Sequence, residues 1–309
     1  MDKIAMVADL FDDLAMKIYD VNKEADNKIT YLEALTFALN LLNGSIERID
    51  EGYVPYLKKI EAISLNHEEL RRALFLDEIK AFKDLNLNLD EITPDAIGLI
   101  ISEIIPKRKM MTILDLGLGL GNLSKTIDGA LDGNINFIGV EQNNLLCAYV
   151  EAYCNLAQIK MEIHMEDLLN YAYPNVDLIV ADLHNYQYEN EYYESPLYNE
   201  GVRDFVYLAI EKHLQSGHPQ SLAFYLVDTD FFSLPNSTKF KESFIKHAFF
   251  KAIITLPQSF FKGKAKMIIV VAKRSSNLEP STDIYNLPNI DKKEQFMKVL
   301  LDINKNLEK

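Results

Sequence analysis

The stretch Asp115-Leu116-Gly117-Leu118-Gly119-Leu120-Gly121-Asn122 closes an apolar, β-rich run, Met111-Thr112-Ile113-Leu114-Asp115-Leu116, and organises the reading of the chain on both sides of it. Three glycines at alternate positions let the backbone turn tightly and approach a ligand where a Cβ would clash. A helix starting directly after them offers its free N-terminal N–H groups. Twenty-six residues after Asp115, Glu141 ends the next β-rich run, where a carboxylate can accept hydrogen bonds from both hydroxyls of a ribose. The pair of features points to a nucleoside. A dinucleotide fingerprint spaces its glycines G-x-G-x-x-G, whereas here the spacing is G-x-G-x-G with an acid two residues ahead of the first glycine. Asp115 would repel a pyrophosphate and attract a cationic amino-acid group, a combination that S-adenosylmethionine meets. A dinucleotide site and a purely structural tight turn are the alternatives.

Outward from this loop, short β-rich runs alternate with helical stretches, the pattern of βαβ units and a mainly parallel sheet. The predicted strands cover 111–116, 135–141, 160–165, 177–182, 221–228, 250–256 and 266–273, with helices near 121–131, 143–157 and 201–215. Only Pro257 to Ala265 separates the last two strands, which predicts an antiparallel hairpin. Upstream, apolar positions recur at helical spacing in Leu10, Leu14, Ile18 and in Leu32, Leu35, Leu39, Leu42. The expected organisation is a helical N-terminal domain over 1–90, an α/β domain over 91–274, and a C-terminal tail over 275–309 that begins as a polar, Pro-containing linker and ends in a charged helix near 291–307.

Composition bounds what such a chain can do. With 309 residues, 48% hydrophobic and 25% charged, it has the make-up of a soluble globular protein. Its two cysteines, Cys147 and Cys154, lie seven apart on one apparent helix and read as small buried hydrophobes in a reducing compartment. Two cysteines cannot form a zinc site by themselves, and no metal is expected. The acidic, amphipathic start MDKIAMVADLFDDL lacks the basic region and apolar core of a secretory signal, and no apolar run reaches 18 residues, so a cytoplasmic chain without membrane contact is expected.

Thirty-two basic against 46 acidic residues give a net charge of −14, which opposes sequence-independent attraction to phosphate backbones. Against that trend, residues 239–274 hold nine basic residues and one acid, Glu242. This region is the candidate contact for nucleic acid, with a solvated lysine surface as the alternative. The helical N-terminal domain is the candidate contact for a protein partner or a second copy.

Four segments resemble class I S-adenosylmethionine-dependent methyltransferases, specifically the N6-adenine DNA methylase group related to the methylation subunit of type I restriction–modification systems. Ile92-Thr93-Pro94-Asp95-Ala96-Ile97 is similar to the group's Thr-Pro segment, and Asp115 to Asn122 to its cofactor loop, with Leu116 where proline is usual. Glu166-Asp167 stands where an acid or amide meets the cofactor's adenine amino group. Leu256-Pro257-Gln258-Ser259-Phe260-Phe261 is similar to a segment whose aromatic ring faces the target base.

The resemblance implies a Rossmann-like fold with a seven-stranded, mostly parallel sheet. It also implies S-adenosylmethionine as cofactor, held by Thr93, Pro94, Asp115, Gly117, Gly119, Gly121, Asn122, Glu141, Asp167 and Asp182. Phe260, Phe261 and Tyr186 would meet the substrate.

The fifth segment departs from the group. Where the group carries Asn/Asp/Ser-Pro-Pro-Tyr/Phe, this chain reads Asp182-Leu183-His184-Asn185-Tyr186. The acid is kept, and the two prolines, which would set the backbone direction, are absent. The resemblance implies that Asp182 accepts from a target amino group while Tyr186 stacks on a flipped base. His184 or Asn185 fills the middle of the motif, and His184 is a candidate base. The implied reaction is an in-line methyl transfer that rests on positioning. The competing class is a methyltransferase-like domain that keeps cofactor binding, or only the fold, as an interaction module; the missing prolines and the acidic run Glu189, Glu191 and Glu194 support it. A nicotinamide-dependent dehydrogenase is the third and weakest reading.

Overall fold

A computed structural model of the chain describes residues 2–106, 110–131, 135–215, 221–274 and 281–308. Its first third is helical: α1 (Lys3–Glu24), α2 (Tyr31–Leu42), α3 (Val54–Glu61) and α4 (His67–Asp84). Two of these helices start with a reciprocal capping box, Thr30 with Glu33 on α2 and Asn66 with Glu69 on α4, which satisfies amide groups that a helix start leaves free. On α1 the buried residues Val7, Phe11, Leu14 and Ile18 recur every three or four positions and place one stripe against the core.

The α/β part runs α5 (Asp95–Ile104), β1 (Met111–Leu116), α6 (Asn122–Ala130), β2 (Ile135–Glu141), α7 (Asn144–Ala157), β3 (Met161–Met165) and β4 (Leu178–Asp182). It continues through α8 (Pro196–Asn199), α9 (Phe205–Gln215), β5 (Leu222–Asp228), α10 (Ser237–His247), β6 (Ala248–Thr255), β7 (Lys266–Lys273), β8 (Asp283–Asn286) and α11 (Lys293–Leu307). Among the described residues eight strands form one sheet in the order β3-β2-β1-β4-β5-β7-β6-β8. β7 runs antiparallel to both β5 and β6, and the other pairings are parallel.

The seven predicted strands are present with ends shifted by two residues at most, and β6 and β7 form the expected antiparallel pair. The strand number is corrected from seven to eight. β8 lies in the stretch expected to be linker; its four residues give too short an apolar pattern to register, and pairing with β6 makes it a strand. The start of that linker, 275–280, lies outside the described residues.

Side chains alternate across the sheet, so its inner strands feed two cores. Met111 and Ile113 of β1 face one, together with the stripes of α1, α2, α4, α5, α7 and α11. Leu114 and Leu116 face the other, with α9 and α10. Strand order reverses between β1 and β4, and in open α/β sheets the crevice at the carboxyl end of such a reversal receives ligands.

Candidate functional site

At that crevice the chain leaves a cavity of about 380 Å³, within the usual range of small-molecule sites. The glycine loop forms one wall. Gly117, Gly119 and Gly121 all take positive φ (72°, 55° and 73°), a region that residues with a Cβ adopt at a cost. The N–H groups of Gly117 and Leu118 both donate to the Val140 carbonyl at 3.0 Å, which ties the turn to the end of β2. A Cβ built on Gly117 or Gly119 would meet nothing nearer than 4.0 Å, so both bare α-carbons front open space.

Glu141 stands on the same wall, held in place by backbone. Its Oε2 accepts from the Gly119 N–H and its Oε1 from the Asn143 N–H, each at 2.9 Å. A carboxylate has about four lone-pair directions, so this one retains acceptor capacity toward the cavity. Asp167, after β3, also lines the cavity. Its Oδ1 accepts from the Leu169 N–H at 2.9 Å and its Oδ2 from the Tyr188 hydroxyl at 2.8 Å.

Asp182 ends β4 on the opposite wall, with Thr93, His184 and Tyr186 beside it. The Thr93 hydroxyl donates to Asp182 Oδ2 at 2.9 Å, and Asn122 Nδ2 donates to the Thr93 carbonyl at 2.9 Å, so the Thr-Pro segment joins the glycine loop to β4. The Lys266 ammonium, from the first residue of β7, donates to Asp182 Oδ1 at 2.6 Å. Both side chains of that pair are 6% exposed. His184 Nε2 lies 3.5 Å from Asp182 Oδ1 and 3.3 Å from Lys266 Nζ. Tyr186 stacks on Phe205 with ring centres 4.5 Å apart and planes 21° apart, and both rings edge the cavity.

Of the residues singled out from sequence, Thr93, Gly117, Gly119, Asn122, Glu141, Asp167, Asp182, His184 and Tyr186 share the cavity wall. Others stand elsewhere. Asp115 faces the core beneath α6, where its Oδ2 accepts from Ser124 Oγ at 2.5 Å; it does not line the cavity, which corrects the expectation that it meets a cationic group directly. Burial pushes its carboxyl up to about 7 against the pull of the Ser124 hydrogen bonds.

Gly121 is the N-cap of α6 and packs against Val150, while Pro94 is the N-cap of α5; neither reaches the cavity. Asn185 turns away to donate to Asp204 Oδ1 at 3.1 Å, and Asp204 also accepts from Gln187 and Asn236. Phe260 and Phe261 pack beside the α11 core, Phe260 with its ring centre 6.4 Å from that of Phe296, and line no part of the cavity.

The sequence reading missed Lys266, 84 residues from its partner, because it was absorbed into a basic run. It missed Phe205, whose apolar helix offered no signal, and Phe82 and Leu87, which bring the helical N-terminal part to the cavity rim. The basic run itself is not one free face. Lys239 donates to the Glu200 carbonyl, Lys251 to the Leu307 carbonyl, Lys264 pairs with Asp228 and Asp230, and Lys266 is buried on Asp182.

Beneath the loop lies a fully buried pair. Lys125 of α6 contacts Glu78 of α4 at 2.6 Å, and the Tyr149 hydroxyl donates to the same Glu78 oxygen at 2.6 Å. The ammonium also sits 3.9 Å from the centre of the Tyr153 ring. Arg71 of α4 pairs with Asp95 at the start of α5 at 2.7 Å. Two charged links thus fix α4 to the helices that follow the Thr-Pro segment and the glycine loop.

Comparison with known proteins gives four findings. A family model described as N-6 DNA Methylase matches residues 91–308. A Bacillus subtilis (strain 168) protein, YtxK, is 28% identical over 278 residues, which covers 84% of this chain and 82% of YtxK. A structure from Listeria monocytogenes, described as a candidate class I S-adenosylmethionine-dependent methyltransferase, aligns with 99% of each chain at TM-score 0.81 and 23% identity. The methyltransferase subunit of a type I restriction–modification system from Streptococcus thermophilus aligns with 96% of this chain and 74% of its own at TM-score 0.65 and 13% identity.

Proposed function

This chain belongs to the N-6 DNA methylase family, and from that membership we propose that it is an S-adenosylmethionine-dependent methyltransferase acting on an amino nitrogen, with adenine N6 of nucleic acid as the acceptor that the family suggests. The observation that carries the reading is Glu141, a carboxylate fixed by two backbone N–H groups on the wall of a glycine-lined cavity. S-adenosylmethionine, when bound, supplies a methyl group already activated by its sulfonium, so the chain's task is positioning.

Glu141 is placed to accept from ribose hydroxyls, Gly117 and Gly119 to admit a close approach, and Asp167 to receive an amino group. Thr93 steadies Asp182 at the acceptor end, and Tyr186, already stacked on Phe205, extends an aromatic surface for a planar acceptor. The likeness to a subunit of a restriction–modification system supports a protein partner as well.

Calorimetry with S-adenosylmethionine tests the reading: the wild type is expected to bind it, and Glu141→Ala to weaken binding by about tenfold or more, the loss of charge-assisted hydrogen bonds. Unchanged affinity in that variant would sink the assignment.

A second reading, a cofactor-binding module without turnover, is favoured by the ammonium of Lys266 on Asp182 and by the turn of Asn185 toward Asp204. Labelled S-adenosylmethionine offered with DNA, RNA and protein pools separates the two, since the module leaves every pool unlabelled while still binding the nucleoside.

A further inference from the structure

Asp182 stands where the proposed reading puts the acceptor amine, and an amine of the chain's own is already there. Lys266 Nζ is 2.6 Å from Asp182 Oδ1, inside a wall where both side chains are nearly closed to solvent. The placement is set by strand register. β7 pairs antiparallel with β5, putting Lys266 opposite Asp228, and β5 in turn lies beside β4, which ends in Asp182. His184 Nε2 crowds the same oxygen at 3.5 Å and the same ammonium at 3.3 Å, while Thr93 holds the other carboxylate oxygen.

An ammonium on a carboxylate makes a hydrogen bond with charge on both sides, whereas the amino group of a nucleobase is a neutral donor. For Asp182 Oδ1 the neutral donor is the weaker competitor.

We propose that Lys266 restrains the acceptor site: its ammonium competes with an incoming neutral amine for Asp182, so that an acceptor reacts only if it displaces that ammonium. Lys266 acts through Asp182 and is a positioning residue. A purely structural ion pair would give variants that lose stability and activity together. A competitor gives variants that gain transfer, and this inference rests on the methyltransferase reading above.

The test compares full-length wild type, Lys266→Met, and the double variant Asp182→Asn with Lys266→Met. The double variant keeps a side-chain oxygen acceptor and leaves no buried charge behind. Each is given methyl-labelled S-adenosylmethionine and an unmethylated, adenine-containing oligonucleotide, single- and double-stranded, while calorimetry measures nucleoside binding in parallel.

The expected result is a rise in kcat/KM for the oligonucleotide of about tenfold or more in at least one variant, with the nucleoside affinity of Lys266→Met changed by about twofold or less. Variants that bind the nucleoside and transfer no faster than wild type overturn the proposal, as does a complete absence of transfer in all three. Loss of folding in both variants assigns Lys266 to the fold and overturns it too. Failure of the wild type to bind the nucleoside is a separate outcome that removes the methyltransferase reading first.

Discussion

The two ends of the cavity are made of different materials. At the Glu141 end the wall is backbone: positive-φ glycines, N–H groups aimed at a carboxylate, and a turn tied to the Val140 carbonyl. At the Asp182 end the wall is side chains, each engaged with a neighbour, Asp182 with Thr93 and Lys266, Tyr186 with Phe205. A backbone wall follows from a local motif and keeps its shape in any chain that preserves the motif. A side-chain wall depends on what distant strands deliver to it, and so it is the end at which members of one family can diverge.

The largest expected effect lies under the backbone end. Lys125→Met would leave Glu78 buried without its cation, at a cost of about 3–5 kcal/mol. The midpoint of a denaturant melt should fall accordingly, and nucleoside affinity with it, because α6 begins at the glycine loop. An unchanged melt would mean that the loop stands without the brace from α4, and the contrast between the two ends would be purely local.

A middle-sized effect is a pH dependence. With Asp115 titrating near 7 in the folded chain and near 4 when unfolded, the folded chain keeps a proton that the unfolded chain releases. This contribution to stability is fully present below about pH 4 and is lost as pH rises through about 7. Asp115→Asn removes the titrating group, so the unfolding free energy from denaturant melts, followed against pH, should lose a downward slope of up to about 1.4 kcal/mol per pH unit between those values. An unaltered slope would move the effect to Asp77 of α4, whose carboxyl burial also pushes up to about 7.

The smallest effect sharpens the side-chain end. Phe260 packs on Phe296 and lines no part of the cavity, so Phe260→Ala should lower stability by about 1 kcal/mol and leave acceptor KM and nucleoside affinity unchanged. A tenfold rise in acceptor KM would return this ring to the target base.

The difference in legibility follows the difference in materials. The places of Gly117, Gly119 and Glu141 on the cavity wall could be read because they depend on short spacings and on a strand-loop-helix pattern visible in the residues. Asp182 was legible as a position at a strand end, but its partner was not. Lys266 begins an apolar strand and stands in a run of lysines, and nothing in that run distinguishes the one that is buried. Asp115 misled because a carboxylate beside a glycine loop carries no mark of the direction it faces; alternation along β1 turns it under α6. Phe260 and Phe261 misled because a motif similar to the family's is spent here on packing against α11.

Sequence by itself determined the alternation of strands and helices, the glycine loop with its distant carboxylate, and the family to which these belong, since each rests on local periodicity or on residues a short span apart. Only the tertiary structure decided that β8 completes the sheet, that Asn185 serves Asp204, and that Asp182 is occupied by a lysine 84 residues away. The physical reason is that a buried charge takes whichever partner the packed strands bring within reach, and that partner is set by register across the sheet.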